Sequence, residues 1–376
     1  MIRPGLCVGD GRDTARCESA GPVLYQPKTP ELLIRAKTRH CEIVEACDQI
    51  DGDALGGCPT VKEGTLAPNV ATACPKRSRP TVAYRRLEAG PARLRPVVPQ
   101  TVERMAGRYV AQLDQLLPDV VTGFYLVGSV ALDAYRPGRS DVDFVAVVER
   151  DLGPKLLGRL RLQHARSGLH TAVAAIRDRR SPLTGTCNGV FIRAADLPAP
   201  VSEITPVASH VGHQFRTGAA GSDVSPVAWK LLAEHGVAIR GPQPSSLPLD
   251  PQPELLRSWN LQNLESYWRP WASAVERNPQ ARFRTRPRYW TAWGVLGAPR
   301  LHRTMVTGEV VSKEAAGEYA LDVFPQRWHP LIAEALAYWR SQPDRLGLSP
   351  RERGQVTSEF VFEVTDGARN LGPAVP

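Results

Sequence analysis

Phe124-Tyr-Leu-Val-Gly-Ser-Val-Ala-Leu-Asp-Ala-Tyr-Arg-Pro-Gly-Arg-Ser-Asp-Val-Asp-Phe-Val-Ala-Val-Val148 reads as a strand, a Gly128-Ser129 turn, a short helix, a loop and a second strand that opens on Asp141 and Asp143. Two carboxylates at i and i+2 on a strand point to the same face. These two stand at the mouth of an apolar run, at the edge of a core, where paired negative charge is costly unless a cation neutralises it. The Gly128-Ser129 turn upstream offers backbone N–H groups and a hydroxyl to a phosphate. A phosphate cradle beside a divalent-cation pair suits nucleotidyl transfer.

The rest of the chain is compatible with that chemistry. Its 376 residues allow two domains and an appendage, and its formal charge of +9 suits anionic ligands. No apolar run approaches the roughly 18 residues of a membrane span, and the opening residues break off before an apolar signal region forms. The expectation is a cytoplasmic protein with reduced thiols and no membrane partner. Six of the seven cysteines (Cys7, Cys17, Cys41, Cys47, Cys58 and Cys74) precede the quoted stretch, and none forms a Cys-x-x-Cys pair. His40 with Cys41 and Cys47, and His210 with His213, lack the further ligands that a metal site needs.

Residues 1–98 show no sustained period of 2 or 3.6 and end in a Pro- and Arg-rich stretch. They are expected to be a poorly ordered extension or sequence outside the folded unit. Order begins near Val102, where Val102, Met105, Tyr109, Leu113 and Leu116 fall at helical spacing before Pro118. Strands over 123–127 and 142–148, a helix from Pro154 to Leu169 and a strand over 189–192 give an α/β pattern. From Ser225-Pro226 onward the pattern turns helical, with segments over 226–235, 254–275, 290–306, 312–323, 330–339 and 351–371. The expected division is a domain over 99–224, a helical domain over 225–346, and a C-terminal helix and tail over 347–376.

Two stretches together carry a family resemblance. Gly128-Ser129 followed by Ser140-Asp141-Val142-Asp143 resembles the nucleotidyltransferase superfamily signature. Trp293-Gly-Val-Leu-Gly-Ala-Pro-Arg300-Leu-His-Arg-Thr-Met-Val-Thr-Gly308-Glu-Val-Val-Ser-Lys313-Glu-Ala-Ala-Gly-Glu-Tyr-Ala320 resembles the C-terminal helical domain of aminoglycoside adenylyltransferases of the streptomycin/spectinomycin 3''(9) type. The likeness runs from about Thr101 to Leu346. It implies an α/β plus all-α fold: a small mixed-sheet nucleotidyltransferase domain followed by a helical bundle. It also implies transfer of AMP from ATP to an acceptor hydroxyl with Mg²⁺. Asp141 and Asp143 would hold the metal. Gly128, Ser129 and Ser140 would contact the phosphates, joined across the cleft by Arg300 and Lys313. The partners are then ATP and a small-molecule acceptor, acting on a monomer.

Two departures from the family pattern stand out. The resemblance places a third carboxylate, the general base, at about position 188, where this chain has Asn188. An amide cannot take a proton at neutral pH and is a weaker metal ligand. A shifted alignment, substitution by another acid such as Glu203, or a slow or inactive enzyme would each account for it. The resemblance also places an acid at position 290, where this chain has Trp290 within a run of aromatics that includes Trp268. Trp268 and Trp290 are therefore the expected acceptor-binding residues, by stacking on a sugar or a cation. Arg282, Arg284, Arg286 and Arg288 alternate before a helix and read as a solvated loop rather than a nucleic-acid reader. Two further readings stay open: a nucleotidyltransferase that modifies a macromolecule, and a non-catalytic nucleotide sensor, the latter motivated by Asn188. Asn188→Asp is expected to raise AMP transfer several-fold, and an unchanged rate in a pyrophosphate-release assay would show that this strand does not supply the base.

Overall fold

A computed structural model describes residues 97–177, 186–212, 214–218 and 224–371, all within one compact unit. The proposed extension up to residue 96, with its six cysteines and His40, and also His213, lie outside the described residues.

Helix α1, Gln100–Leu116, buries Val102, Ala106, Tyr109, Val110 and Leu113 at three- and four-residue spacing, and Leu117 closes its last turn. Strand β1, Val121–Val127, leads through the four-residue helix α2, Gly128–Ala131, and a loop to β2, Val142–Val148. Both strands are buried on both faces, and their alternation sorts two cores. Phe124, Leu126, Phe144 and Ala146 pack with α1 and with Leu160 of helix α3, Pro154–Arg177. Tyr125, Val127, Val145 and Val147 pack on the opposite side with Trp229 and Leu232. The α3 helix crosses to β3, Cys187–Arg193, which runs parallel to β2.

The sheet has six strands in the order β5-β4-β3-β2-β1-β6, with every neighbouring pair antiparallel except β2–β3. Its β4–β5 hairpin, Ala208–Val211 and Gln214–Thr217, has no counterpart in the sequence reading, because four-residue strands carry no legible period. Residues 225–240, expected in the helical domain, instead complete the sheet. Ser225 caps helix α4, Pro226–His235, by accepting the Ala228 N–H. Trp229 and Leu232 then enter the core beneath the strands, and β6, Val237–Arg240, pairs with β1.

The helical part follows. Helix α5, Leu256–Asn263, continues through a π-turn at Leu264–Trp268 into α6, Arg269–Arg277. It is followed by α7, Pro279–Phe283; α8, Pro287–Thr307; α9, Lys313–Val323; α10, His329–Trp339; and α11, Pro350–Arg369. They share one core, to which α11, expected as a C-terminal helix outside the helical domain, contributes Phe360, Val361 and Val364 at full burial. The buried Arg353 guanidinium donates to Asp344 at 2.6 Å and to the Leu348 carbonyl at 3.2 Å, fixing the chain between α10 and α11.

Two contacts tie the sheet to the helical part next to the quoted stretch. Arg136 donates to Glu314 at 2.9 and 2.7 Å, and Arg340 donates to the other Glu314 oxygen at 2.9 Å. Arg139 lies over the Tyr338 ring at 3.8 Å.

Candidate active site

Strand register brings the cleft together. Val127, the last residue of β1, pairs with Asp143, and Asp143 pairs in turn with Asn188 on β3. The chain must then turn sharply over the Asp143 carboxylate. Gly128 does so at φ +62°, and a Cβ there would come within 2.0 Å of Asp143 Oδ2. Gly128, Ser129, Ser140, Asp141 and Asp143 line a cleft whose other wall is Tyr289, Trp293 and Arg300 from α8, Ser312 and Lys313 at the start of α9, and Trp339 at the end of α10.

Charge in this cleft is arranged as two acids against two cations. Burial raises both aspartates, and for Asp141 the neighbouring Asp143 charge adds to it. Lys313 pulls both carboxyls the other way, joined at Asp143 by Arg300. Burial in turn lowers Lys313 and Arg300; the Arg300 charge adds to the effect on Lys313, and the aspartates offset part of both. The Lys313 ammonium sits between two tryptophan rings, 4.4 Å from the centre of Trp339 and 5.2 Å from that of Trp293. Ring faces are the partners that let a desolvated ammonium keep its charge without a carboxylate directly bonded to it. Arg300 donates through Nε to the Val311 carbonyl at 2.9 Å, which fixes the bend between α8 and α9.

Several polar atoms here are buried with no partner: Asp141 Oδ1, Ser129 Oγ and Arg139 Nε. Orphaned oxygens on a carboxylate and a hydroxyl, beside an unpartnered guanidinium nitrogen, suit a ligand that carries both a hard cation and anionic oxygens. Among the described residues no group of three or more His, Cys, Asp or Glu side chains could hold a metal by itself, so further oxygens would have to come from the ligand.

The expected residues are placed unequally. Gly128, Ser129, Ser140, Asp141, Asp143, Arg300 and Lys313 all line the cleft. The Ser140 hydroxyl accepts the Arg136 N–H at 3.0 Å and so closes the loop before Asp141. Asn188 lies beside the pair, donating from Nδ2 to Asp141 Oδ2 at 2.9 Å. Glu203 is exposed at the end of a short 3-10 turn and is not among the cleft residues. Trp268 is not in the cleft but in the helical core, where its ring fills the space a side chain at Gly297 would need. Trp290 is also absent from the lining and lies against Arg282 at 5.3 Å. The cleft aromatics are their sequence neighbours Tyr289 and Trp293, together with Trp339. The helical pattern does not tell which ring of a cluster faces inward, and nothing near Trp339 in sequence marks it or Arg139. His210 Nδ1 lies 3.0 Å from the Cys187 carbonyl, and its ring stacks on His164 at 3.9 Å, a packed core pair rather than ligands.

Two family models match separate stretches of the chain. A family model for the nucleotidyltransferase domain matches residues 108–173, which carry Gly128, Ser129, Asp141 and Asp143. A second, for the C-terminal domain of aminoglycoside adenylyltransferase, matches residues 265–357, which carry Arg300 and Lys313. The chain resembles the aminoglycoside adenylyltransferases. Curated aminoglycoside (3'') (9) adenylyltransferases from Klebsiella pneumoniae and Shigella flexneri are each 31% identical to it over 134 residues, which is 35% of this chain. The match spans only 43% of the length of those relatives. A solved spectinomycin adenyltransferase, AAD(9) from Enterococcus faecialis with ATP and spectinomycin, is 14% identical with a TM-score of 0.49, covering 70% of this chain and 98% of that one. Asn188 falls between the two matched segments, residues 108–173 and 265–357.

The acid pair has a consequence for stability. Burial pushes the Asp143 carboxyl from 3.8 up to about 6. A carboxyl that ionises less readily in the folded chain opposes folding in full above its folded value, and not at all below its unfolded one. Asp143→Asn is therefore expected to raise stability at pH 8, without nucleotide or metal, by about 1–2 kcal/mol after allowing for access from the cleft. The gain should fade between pH 6 and pH 4, and urea unfolding of both proteins across that range measures it.

Proposed function

We propose that the chain is a Mg-ATP-dependent nucleotidyltransferase that moves AMP onto a hydroxyl of a small, aminoglycoside-like acceptor. The observation that carries the reading is the convergence of the Asp141–Asp143 pair, the Gly128-Ser129 turn, Arg300 and Lys313 on one cleft. Asp141 and Asp143 would hold Mg²⁺ through carboxylate oxygens. When bound, that ion supplies charge neutralisation at the α-phosphoryl group and at the departing pyrophosphate.

The protein's own part is positioning and electrostatics. Ser129 Oγ, unpartnered and buried, is free to donate to a phosphate oxygen, and the tight turn at Gly128 lets the backbone approach it. Arg300 and Lys313 bring two positive charges from the helical part against the triphosphate. The acceptor oxygen attacks the α-phosphorus as the bond from that phosphorus to the α,β-bridging oxygen breaks; pyrophosphate carries away the electron pair, and the hydroxyl proton leaves to solvent or to the departing pyrophosphate. Asn188 takes no proton from the acceptor. Phosphoryl-type transition states demand little proton removal before attack, so turnover is expected to be slow rather than absent. A nucleotide sensor is the second reading, favoured by the amide at position 188.

Calorimetric titration with Mg-ATP followed by a pyrophosphate-release panel of aminoglycosides and aminocyclitols tests the proposal. Binding with release for at least one acceptor is expected. Binding with none supports the sensor, and no binding removes both readings. The ring faces around Lys313 give a separate expectation. Trp339→Leu should weaken Mg-ATP binding about tenfold, the equivalent of one desolvated cation–π contact, while Trp339→Phe should keep most of the affinity.

A further inference from the structure

Asn188 is held from two sides. Its Oδ1 accepts the Gly212 backbone N–H at 3.0 Å and the Thr186 hydroxyl at 3.3 Å. A backbone N–H only donates, so the Gly212 contact fixes which end of the amide faces it. The Nδ2 end is thereby turned toward Asp141 and donates to Oδ2 at 2.9 Å. Gly212 stands in the turn of the β4–β5 hairpin, at φ +59°, so the sheet edge itself sets the rotamer of this side chain.

The two oxygens of Asp141 are thus unequal. Oδ2 is engaged by an amide N–H, and Oδ1 is buried with no partner. In paired-cation sites the ions lie roughly 3.5–4 Å apart and share anionic oxygens between them. A second ion on the β3 side of Asp141 would need such an oxygen from β3. It would meet instead the N–H₂ of Asn188, which repels a cation and competes for the oxygen the ions would share. Phe144 follows Asp143 on β2 and pairs with Gly189, so the next register position on β3 brings no acid. The neutral amide also spares the two aspartates a third buried negative charge.

We propose that Asn188 restricts the Asp141–Asp143 pair to a single divalent cation, by closing the β3 side of Asp141 with a hydrogen-bond donor locked in place by Gly212 and Thr186. This rests on the reading above that the pair binds divalent cations with a nucleotide. Asn188 is a positioning residue in this arrangement: it orients Asp141 and touches neither the nucleotide nor the acceptor.

The test is a count of ions rather than a rate. Equilibrium dialysis of the full chain against Mn²⁺ and the non-hydrolysable analogue α,β-methylene-ATP measures how much of each the protein retains. The unmodified protein should retain one Mn²⁺ per bound nucleotide, and Asn188→Asp should retain two. Two ions in the unmodified protein would overturn the inference, and so would a single ion in a folded Asn188→Asp variant, since something other than the amide would then set the number. If that variant does not fold, the count on the unmodified protein still decides. Retention of no nucleotide at all strikes the transferase reading itself and takes this inference with it, an outcome the dialysis separates from a wrong ion count.

Discussion

The cleft depends on an electrostatic opposition. Strand geometry sets Asp141 and Asp143 on one face, and the turn at Gly128 crowds Asp143; burial makes both resist ionising, and the Asp143 charge adds to this at Asp141. Lys313 and Arg300 are buried enough that each resists holding its charge. Neither pair is comfortable alone, and each makes the other tolerable. The opposition also joins the two parts of the chain chemically, since the acids are built on the sheet and the cations on α8 and α9. Under the function proposed above, a phosphate would supply the negative charge the cations lack and a metal ion the positive charge the acids lack.

The elements were legible where one local signal decided them. Both central strands announced themselves as short apolar runs bounded by turn residues, and α4 by its capping serine, first-turn proline and exit glycine. The acid pair was legible because a two-residue spacing on a strand has one geometric meaning. What escaped depended on partners far away in the chain. Helix α4 was seen correctly but assigned to the wrong layer, since the strand that follows it pairs with β1, far upstream. The β4–β5 hairpin was too short to show a period, yet it supplies the Gly212 N–H that orients Asn188.

The aromatic residues show the same limit at the level of side chains. Trp268, Trp290 and Trp293 are equivalent in sequence terms, all apolar rings in a tryptophan-rich stretch. Packing separates them. The π-turn at Leu264–Trp268 drives the Trp268 ring onto Gly297, while Trp293 turns one face to the cleft. Lys313 is the inverse case. Its place at the start of α9 does not reveal that the Trp339 ring, from another helix, lies over its ammonium. The helical wall of the cleft is therefore made of rings and cations, and Asp141 and Asp143 are the only acids among the described cleft residues.

Glu314 follows Lys313 directly on α9 and is gripped from both parts of the molecule, by Arg136 of the loop that carries the acids and by Arg340 beyond α10. The residue that reaches into the cleft and the residue that fastens its rim are thus adjacent on one rigid turn. Swinging the helices away from the strands would withdraw the ammonium and unclip the rim in the same stroke. The charge that faces the cleft and the clasp at its rim thus share one anchor.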